Sequence, residues 1–319
     1  MPIEEHVFLS GKGGSGKTSV CAAWAHLNQQ IYGDGAAVVV DADVDAANLE
    51  LLSRCQRVEE HPFIGAALPV LDEERCTGCG LCEDICRFDA LTLVDGGQGP
   101  LPVIDEVLCE GCGACMEICP FDGFEMVPQQ VGSWFRSESR FGPLFHAALL
   151  PGGENSGKLV ARVRQEARGW AEAEGHDLIL TDGPPGIGCP VISALTGAAG
   201  IIAVAEAGEA GRSDLQRLLE LARRFDLPVR LLINKADIHP EAAGSIERLC
   251  REEEGIGLLG RIPYDPAVVH RMVEGEPVTV DPTSPAAAAL RESFMRWAAE
   301  RSAPDEGGRG RLYRIGRPS

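Results

Sequence analysis

Basic residues and long hydrophobic runs are both scarce in this 319-residue sequence. It has 29 Lys and Arg against 48 Asp and Glu, which gives a net charge of −19. This shortage argues against binding to nucleic acid, because contacts with a phosphate backbone need a basic face. No run approaches the roughly 20 apolar residues that span a bilayer, and no secretory signal precedes the first predicted strand. We therefore expect a cytoplasmic protein that contacts neither nucleic acid nor a membrane.

Cysteines are abundant instead, and eight of the 12 fall in two runs of identical spacing. The runs are Cys76-x2-Cys79-x2-Cys82-x3-Cys86 and Cys109-x2-Cys112-x2-Cys115-x3-Cys119. In ferredoxins with this spacing, three close cysteines bind one cluster and the fourth binds the other cluster. We therefore predict two [4Fe–4S] clusters, one bound by Cys76, Cys79, Cys82 and Cys119 and the other by Cys109, Cys112, Cys115 and Cys86.

Zinc and disulfide bonds are the alternative interpretations of these cysteines. Zinc sites favour two CxxC pairs or mixtures of Cys and His, and neither run contains a histidine. Disulfides favour a secreted chain, which the sequence does not indicate. Arg87 follows the first run where a proline is usual, whereas Pro120 follows the second. We expect the cluster bound by Cys86 to be more exposed or shifted in potential.

The cysteine-rich region is also strongly acidic. Residues 72–127 contain thirteen acidic side chains and only two basic ones, Arg75 and Arg87. Such a face is either a solvated surface or a docking surface for a basic redox or cofactor-assembly partner.

A glycine-rich sequence follows a short apolar strand near the start of the chain. The strand covers residues 6–10 and leads into Gly11-Lys-Gly-Gly-Ser-Gly-Lys-Thr18. This pattern is typical of a phosphate-binding loop, in which Lys17 meets the β- and γ-phosphates and Thr18 ligates Mg²⁺. The predicted ATP/ADP-binding residues are Gly11, Gly13, Gly14, Ser15, Gly16, Lys17, Thr18 and Ser19.

Two further apolar strands, residues 36–41 and 177–182, each end in an aspartate. Acidic residues at the carboxyl ends of strands lie where a doubly wound sheet binds its ligand. Asp182 therefore suits a Mg²⁺ ligand, and the two prolines after Gly183 suit a rigid turn that senses the γ-phosphate.

The remaining apolar runs predict the other elements of this sheet. They are buried strands at 200–206 and 229–234, a closing segment at 262–265 and a final helix at 285–301. Residues 131–150 form either a return strand or a hydrophobic seam under the cysteine-rich region. Ser156 begins a helix, because its Ser-Gly-Lys sequence lacks the strand and glycine spacing of a second phosphate loop.

Together these motifs resemble the MinD/ParA/Mrp superfamily of ATPases, whose phosphate loop carries a second lysine. The matching sequences are Lys12-Gly-Gly-Ser-Gly-Lys-Thr18, Asp41 to Leu49, and Asp182-Gly-Pro-Pro-Gly186. The resemblance implies that Lys12 reaches across a homodimer to the partner's nucleotide and stabilises the charge that develops there. It also implies that Asp43 positions the attacking water and that Asp41 lies in the outer shell of Mg²⁺.

Two more assignments come from the same resemblance. Asn234, at the end of a predicted strand, matches an adenine-contacting residue, with an ordinary turn asparagine as the alternative. Cys189 follows Asp182 at the offset of a cluster ligand in the nitrogenase iron protein, which belongs to the superfamily. One such cysteine per subunit supplies only two ligands. We therefore favour core packing or a contact near the dimer axis over a bridging or redox role.

Strands alternate with helices before residue 62 and after residue 176, which predicts an α/β fold. We expect a doubly wound, mostly parallel P-loop sheet with an inserted α+β ferredoxin-like domain. The predicted domains are 1–61 and 128–303 for the ATPase, 62–127 for the insert and 304–319 for a disordered tail. The insert closely follows residues 41–49, hereafter the switch segment, so movement of that segment would reach it.

The sequence therefore predicts a Mg-ATP hydrolase that dimerises with nucleotide. Its conformational cycle would gate electron transfer from two [4Fe–4S] clusters to a partner protein, with metal-cofactor maturation as the expected context. One alternative is an Mrp-type carrier ATPase, in which the clusters are cargo; full four-cysteine ligation opposes this role. The other alternative is a ParA/MinD-like positioning ATPase.

Overall fold

The computed structural model describes residues 3–33, 37–97, 99–153 and 155–302. These residues divide into two compact units. The second unit comprises Pro62–Ser133 and Leu149–Asn155, and the other described residues make up the first. The insert predicted at 62–127 falls within the range of the second unit. The tail predicted at 304–319 lies outside the described residues.

Eleven strands lie within the described residues. They are β1 (Glu4–Leu9), β2 (Val38–Asp41), β3 (Gln56–Leu71), β4 (Leu91–Asp95), β5 (Pro100–Ile104), β6 (Phe124–Ser139), β7 (Gly142–Leu149), β8 (Leu178–Asp182), β9 (Gly200–Glu206), β10 (Val229–Asn234) and β11 (Ile256–Ile262). Nine of them form one sheet in the order β11-β10-β9-β1-β8-β2-β7-β6-β3. Neighbouring strands from β11 across to β7 run parallel. The mostly parallel α/β sheet predicted from the sequence is confirmed.

Ten α-helices connect these strands within the described part of the chain. They are α1 (Lys17–Tyr32), α2 (Leu49–Ser53), α3 (Leu81–Ile85), α4 (Ala114–Ile118), α5 (Ser156–Glu174), α6 (Cys189–Leu195), α7 (Glu209–Arg224), α8 (Pro240–Glu252), α9 (Pro266–Val273) and α10 (Pro285–Ser302). Local sequence explains the start of α9: Asp265 caps this helix by accepting from the Ala267 N–H, and Pro266 takes the first helical position. None of the described helices is both long and apolar enough to span a membrane.

Continuous apolar runs mark the central strands because helices cover both faces of a parallel sheet. All four residues of β2 are buried, as are all five of β8. These strands end at Asp41 and Asp182, which are register partners in the parallel pair. The two aspartates therefore reach the same edge of the sheet side by side.

The sequence-based expectation is wrong at one end of the sheet, and at the other end the structure decides between two interpretations. The segment predicted to close the sheet, residues 262–265, is misplaced by several residues. The edge strand is β11, which covers Ile256–Ile262. Gly257 and Gly260 interrupt the apolar pattern of this strand. Residues 131–150, for which two interpretations were open, form the end of β6 and all of β7, and both strands join the main sheet.

The core of the first unit centres on Trp24 of α1, which is fully buried. The edge of its ring packs on Phe8 and Phe294 at centroid distances of 5.4 and 5.6 Å. Such edge-to-face pairs contribute roughly 0.5–1.5 kcal/mol each beyond the area that they bury. α1 begins at Lys17, so this packing positions the residues that follow the glycine-rich loop.

The second unit repeats one small motif. Each cysteine run crosses a glycine in the left-handed region, Gly80 (φ 81°) or Gly113 (φ 74°), and then enters a five-residue helix. β4 and β5 pair as an antiparallel hairpin. A small apolar cluster forms the core of this unit and consists of Cys82, Leu91, Cys115 and Phe124.

Candidate functional site

The glycine-rich loop connects the end of β1 to the start of α1. Gly14 (φ 77°) and Gly16 (φ 92°) adopt the left-handed backbone conformation that favours glycine. A side chain at Gly16 would also collide with the Asn234 amide. That amide donates to the Ser15 carbonyl at 2.8 Å, so Asn234 contacts the loop itself. Its predicted contact with adenine stays a prediction.

Lys17 extends from the first turn of α1 to the edge of the sheet. Its Nζ lies 2.7 Å from Asp182 Oδ1 and 3.9 Å from Asp43 Oδ2. Burial would lower the pKa of Lys17, but the neighbouring aspartates, Asp182 foremost, outweigh burial and raise it. Lys17 is therefore a fixed positive charge at the centre of this site.

Asp41 is fully buried and organises the switch segment. Its Oδ1 accepts from the Asp43 N–H at 3.1 Å and its Oδ2 from the Leu49 N–H at 2.9 Å. Burial, reinforced by the charge of Asp182, raises the pKa of Asp41 to about 7. Burial also raises the pKa of Asp43. Burial is the main cause of both shifts, and the charge of Asp182 adds to them. Three carboxylates around one lysine form an arrangement that a divalent cation would balance.

Two buried oxygens at this site have no hydrogen-bond partner among the described residues: Ser15 Oγ and Asp182 Oδ2. Buried polar atoms are normally paired, so both are candidates for contacts with a ligand. Asp182 Oδ2 fits Mg²⁺, which prefers carboxylate and hydroxyl oxygens. Thr18 is the second residue of α1, while the Ser19 hydroxyl donates to Met272 Sδ at 3.1 Å.

Lys12 lies apart from Lys17, and its side chain is 44% exposed. Its Nζ forms an ion pair with Glu206 Oε2 at 3.1 Å, and Lys235 Nζ contacts Oε1 of the same glutamate at 2.9 Å. Glu206 ends β9, and hydrogen bonding to Lys235 and Lys12 lowers its pKa. Within one chain, Lys12 is therefore paired with Glu206 rather than with Asp182.

Four cysteines of the second unit line one cavity: Cys76, Cys79, Cys82 and Cys119. Three come from the first run and one from the second. The Gly78 N–H lies 3.4 Å from Cys76 Sγ, and the Gly123 N–H lies 3.3 Å from Cys119 Sγ. Leucine, proline and phenylalanine side chains complete the wall. Thiols, sulfur-directed N–H groups and an apolar wall together fit the coordination of an iron–sulfur cluster.

For the other four cysteines, the structure gives only some of the contacts that a shared ligand set requires. Cys109 and Cys112 are near enough to Cys115 to influence its ionisation, and burial, followed by Cys109, raises the pKa of Cys115. Cys86 packs against the apolar cluster that contains Cys115. The second ligand set stays a prediction.

Cys189 is exposed at the start of α6. The interpretation that it packs in a core is therefore wrong, because the helix begins at the surface. Cys21 and Cys250 are buried instead.

Comparison with known proteins agrees with this geometry. Residues 6–278 match the family CbiA, the CobQ/CobB/MinD/ParA nucleotide binding domain. The chain belongs to this family. Its fold and phosphate loop are those of a MinD/ParA-type P-loop NTPase.

Individual relatives of this CbiA-family chain span most of its length. Two are Methanocaldococcus jannaschii proteins recorded as uncharacterized. MJ0578 is 32% identical to this chain over 233 residues, which are 73% of this chain and 78% of MJ0578. MJ0579 is 24% identical over 267 residues, which are 83% of this chain and 88% of MJ0579. Among solved structures, the septum site-determining protein MinD with Mg-ADP from Pyrococcus horikoshii gives a TM-score of 0.57 at 18% identity, over 94% of this chain and 98% of that one. The MinC:MinD cell division protein complex of Aquifex aeolicus gives a TM-score of 0.52 at 18% identity, over 98% of this chain and 100% of that one. These structures establish the fold.

Sequence reasoning missed three residues of interest outside the CbiA motifs. Glu206 pairs with both Lys12 and Lys235. Glu206 ends one ordinary apolar strand and Lys235 follows another, and no spacing pattern links them to the loop. His146 lies on β7 beside Asp41 in register. A histidine within an apolar run was the one signal that could have drawn attention to it.

Proposed function

We propose that this protein is a Mg²⁺-dependent ATPase that dimerises around nucleotide and couples hydrolysis to electron transfer through two [4Fe–4S] clusters. One observation supports the ATPase part above all others. Asp182 has one carboxylate oxygen paired with Lys17 and the other buried without a partner among the described residues. An aspartate that pairs with the phosphate-binding lysine and keeps a free oxygen suits a Mg²⁺ ligand at the γ-phosphate.

The residues at the sheet edge then take distinct roles. Lys17 transfers its contact from Asp182 to the β- and γ-phosphates, and the loop N–H groups bind the remaining phosphate oxygens. Asp43, half-buried at the site, orients the attacking water. Thr18 and Asp182 would ligate Mg²⁺, with Asp41 in its outer shell, and the ion would neutralise phosphate charge.

Lys12 acts in the partner subunit's site. Because Lys12 is 44% exposed and its ion pair with Glu206 is partly solvated, it can exchange that contact for a phosphate of the opposite nucleotide. A homodimer with two nucleotides at its interface follows from this role.

The cysteine-lined cavity supports the redox part. Cys76, Cys79, Cys82 and Cys119 surround one space, and the N–H groups at Gly78 and Gly123 point at two of their sulfurs. Clusters bound by these residues and by Cys86, Cys109, Cys112 and Cys115 would supply one-electron chemistry. The acidic excess across 72–127 suits a partner with a basic face.

A ParA/MinD-like positioning ATPase is the second candidate, and the fold similarity to MinD favours it. The net charge of −19 opposes binding to nucleoid or anionic lipid. Salt-dependent binding to DNA and to anionic liposomes distinguishes the two candidates, because a positioning ATPase would bind one of them with ATP.

The hydrolysis part is tested with Asp43→Ala. Loss of the water-orienting carboxylate should leave Mg-ATP binding intact and trap an ATP-bound dimer that hydrolyses at least about 100-fold more slowly. Sedimentation velocity with ATP and a phosphate-release assay measure the two effects. Normal turnover in this variant would contradict the assigned role.

The coupling part is tested by measuring cluster potentials without nucleotide, with ADP and with a non-hydrolysable ATP analogue. Allosteric coupling of roughly 1–3 kcal/mol corresponds to a shift of about 40–130 mV for a one-electron couple. Equal potentials in all three states, with unchanged access to an external chelator, would exclude gating by nucleotide.

A further inference from the structure

Three side chains that the nucleotide site does not use converge next to the switch segment: Glu50, Cys55 and His146. All three belong to the first unit. Glu50 is the second residue of α2, Cys55 follows that helix, and His146 lies on β7. A carboxylate oxygen, the Sγ atom and a ring nitrogen all lie within 4.8 Å of one another.

His146 is fixed in place by two neighbours. It is buried, its ring stacks on Phe135 at a centroid distance of 4.9 Å, and its Nε2 lies 2.9 Å from the buried Ser137 Oγ. These contacts leave Nδ1 facing Glu50, with 3.2 Å to Oε2. Metal-binding histidines usually have such a partner on the second ring nitrogen, because it fixes the tautomer and the ring orientation.

A simple hydrogen bond from His146 to Glu50 would also explain the contact at Nδ1. Arg57 strengthens that alternative, since its Nη2 lies 3.4 Å from Glu50 Oε2 and its guanidinium covers the Phe135 ring at 4.0 Å. The alternative gives no role to Cys55. The two explanations therefore differ in what loss of the thiol would change.

We propose that Glu50, Cys55 and His146 bind a divalent transition-metal ion of the Zn²⁺ class, at a site separate from the Mg²⁺ and cysteine-run sites. Thiolate and imidazole ligands select such ions over Mg²⁺ and Ca²⁺. Bonds of about 2.0–2.3 Å place tetrahedral ligand atoms roughly 3.3–3.8 Å apart. The spacing of Nδ1 and Oε2 is already that short, and Cys55 Sγ lies within 4.8 Å of a nitrogen of the same ring and an oxygen of the same carboxylate, so a small side-chain shift brings it into range.

Metal binding at this site requires a neutral His146 ring and the loss of one proton from Cys55. Burial lowers the pKa of His146 to about 4, which keeps the ring neutral. In the bound form Nε2–H donates to Ser137 Oγ, and the Nδ1 lone pair faces the ion. Cys55 releases its thiol proton to solvent on binding, and Glu50 supplies a carboxylate oxygen.

The site would connect the switch segment to the sheet. Leu49, which precedes Glu50, donates its N–H to Asp41 Oδ2 at 2.9 Å, while His146 is the register partner of Asp41. An ion bound by Glu50 and His146 therefore restrains α2 relative to β7, next to the aspartate that organises the nucleotide site.

The test uses Co²⁺ as the probe with the full-length protein, cluster-loaded under anaerobic conditions and saturated with Mg-ADP. Cys55→Ala is the principal variant. Cys250→Ala is its matched control, because it also removes a thiol from the first unit but lies far along the chain in α8. All variants share the cysteines of the two runs, so these contribute equally to each measurement.

We expect the parent protein and Cys250→Ala to bind one more equivalent of Co²⁺ than Cys55→Ala. Their spectra should show a thiolate-to-cobalt charge-transfer band that the Cys55 variant lacks. Ser137→Ala should bind about 10–100-fold more weakly, because it removes the partner of Nε2. Arg57→Gln should bind more tightly, because it removes the cation that competes for Glu50.

Equal Co²⁺ stoichiometry and equal spectra in Cys55→Ala and the parent protein would overturn the proposal. If Cys55→Ala does not fold, Arg57→Gln and Ser137→Ala decide the matter, and unchanged affinity in both would overturn it as well.

Discussion

Lys17 Nζ and Asp182 Oδ1 form a buried ion pair at 2.7 Å, although the two residues are 165 positions apart in the chain. One belongs to the phosphate loop and the other to the strand end proposed to ligate Mg²⁺. In the proposed mechanism, nucleotide binding exchanges this pair for two new contacts, one from Lys17 to phosphate and one from Asp182 to the metal. The site is assembled before nucleotide enters, which reduces the ordering that binding requires.

The buried pair predicts a measurable effect on stability. Asp182→Asn leaves Lys17 buried, with Asp43 still 3.9 Å away. We therefore expect the free energy of unfolding to fall by about 3 kcal/mol, the lower limit of the usual cost of removing one partner from a buried ion pair. The double variant Lys17→Met/Asp182→Asn should lose less than the sum of the single variants. Urea unfolding of the full chain measures the free energy of unfolding of the two single variants and the double variant. Glu166→Gln is the control, because its pair with the half-exposed Arg162 should contribute less than about 1 kcal/mol.

Substitution of the two lysines of the loop should impair different steps of the ATPase cycle. Lys17→Ala removes the phosphate contact within the same chain, so nucleotide binding should be lost. Lys12→Ala should bind ATP normally but lose ATP-dependent dimerisation and about 10³-fold or more in hydrolysis, the effect of removing a charge that acts in trans. Calorimetry, sedimentation velocity and phosphate release measure these three properties. Parental hydrolysis by the Lys12 variant would contradict the dimeric site.

Much of this site was predictable because its signals are local in sequence. The loop from Gly11 to Thr18 and the strand ends at Asp41 and Asp182 follow from short patterns whose geometry the backbone imposes. The sequence also indicated the sheet, since its central strands are continuous apolar runs.

Contacts between distant segments were not predictable in this way. Asn234 reaches Ser15 across 219 positions, and no periodicity records such a contact. For Cys189 we predicted either core packing or a contact near the dimer axis, and the core alternative is wrong because the residue begins a helix at the surface. Edge strand β11 was missed because its glycines interrupt the apolar run.

Glu206 should restrain Lys12 before dimerisation. Glu206→Gln removes one half of the pair at 3.1 Å, and we expect ATP-dependent dimerisation at a lower ATP concentration. Because the Lys12 side chain is 44% exposed, the pair contributes at most about 1 kcal/mol, or roughly a fivefold change. Glu209→Gln, a nearby exposed glutamate at the start of α7, is the control. High salt should reduce the difference, and weaker dimerisation of Glu206→Gln would contradict the prediction.

Cys119 should belong to the cluster of the first run, although it lies in the second. It lines the same cavity as Cys76, Cys79 and Cys82, so Cys119→Ala and Cys76→Ala should lose the same cluster and fall from about eight to about four iron per chain. Their remaining electron paramagnetic resonance spectra should match each other and differ from that of Cys115→Ala. Cys189→Ala, the exposed control, should keep all of the iron. A Cys119→Ala spectrum that matches Cys115→Ala would show that each run binds its own cluster, and stoichiometric zinc with little iron in the parent protein would exclude the clusters altogether.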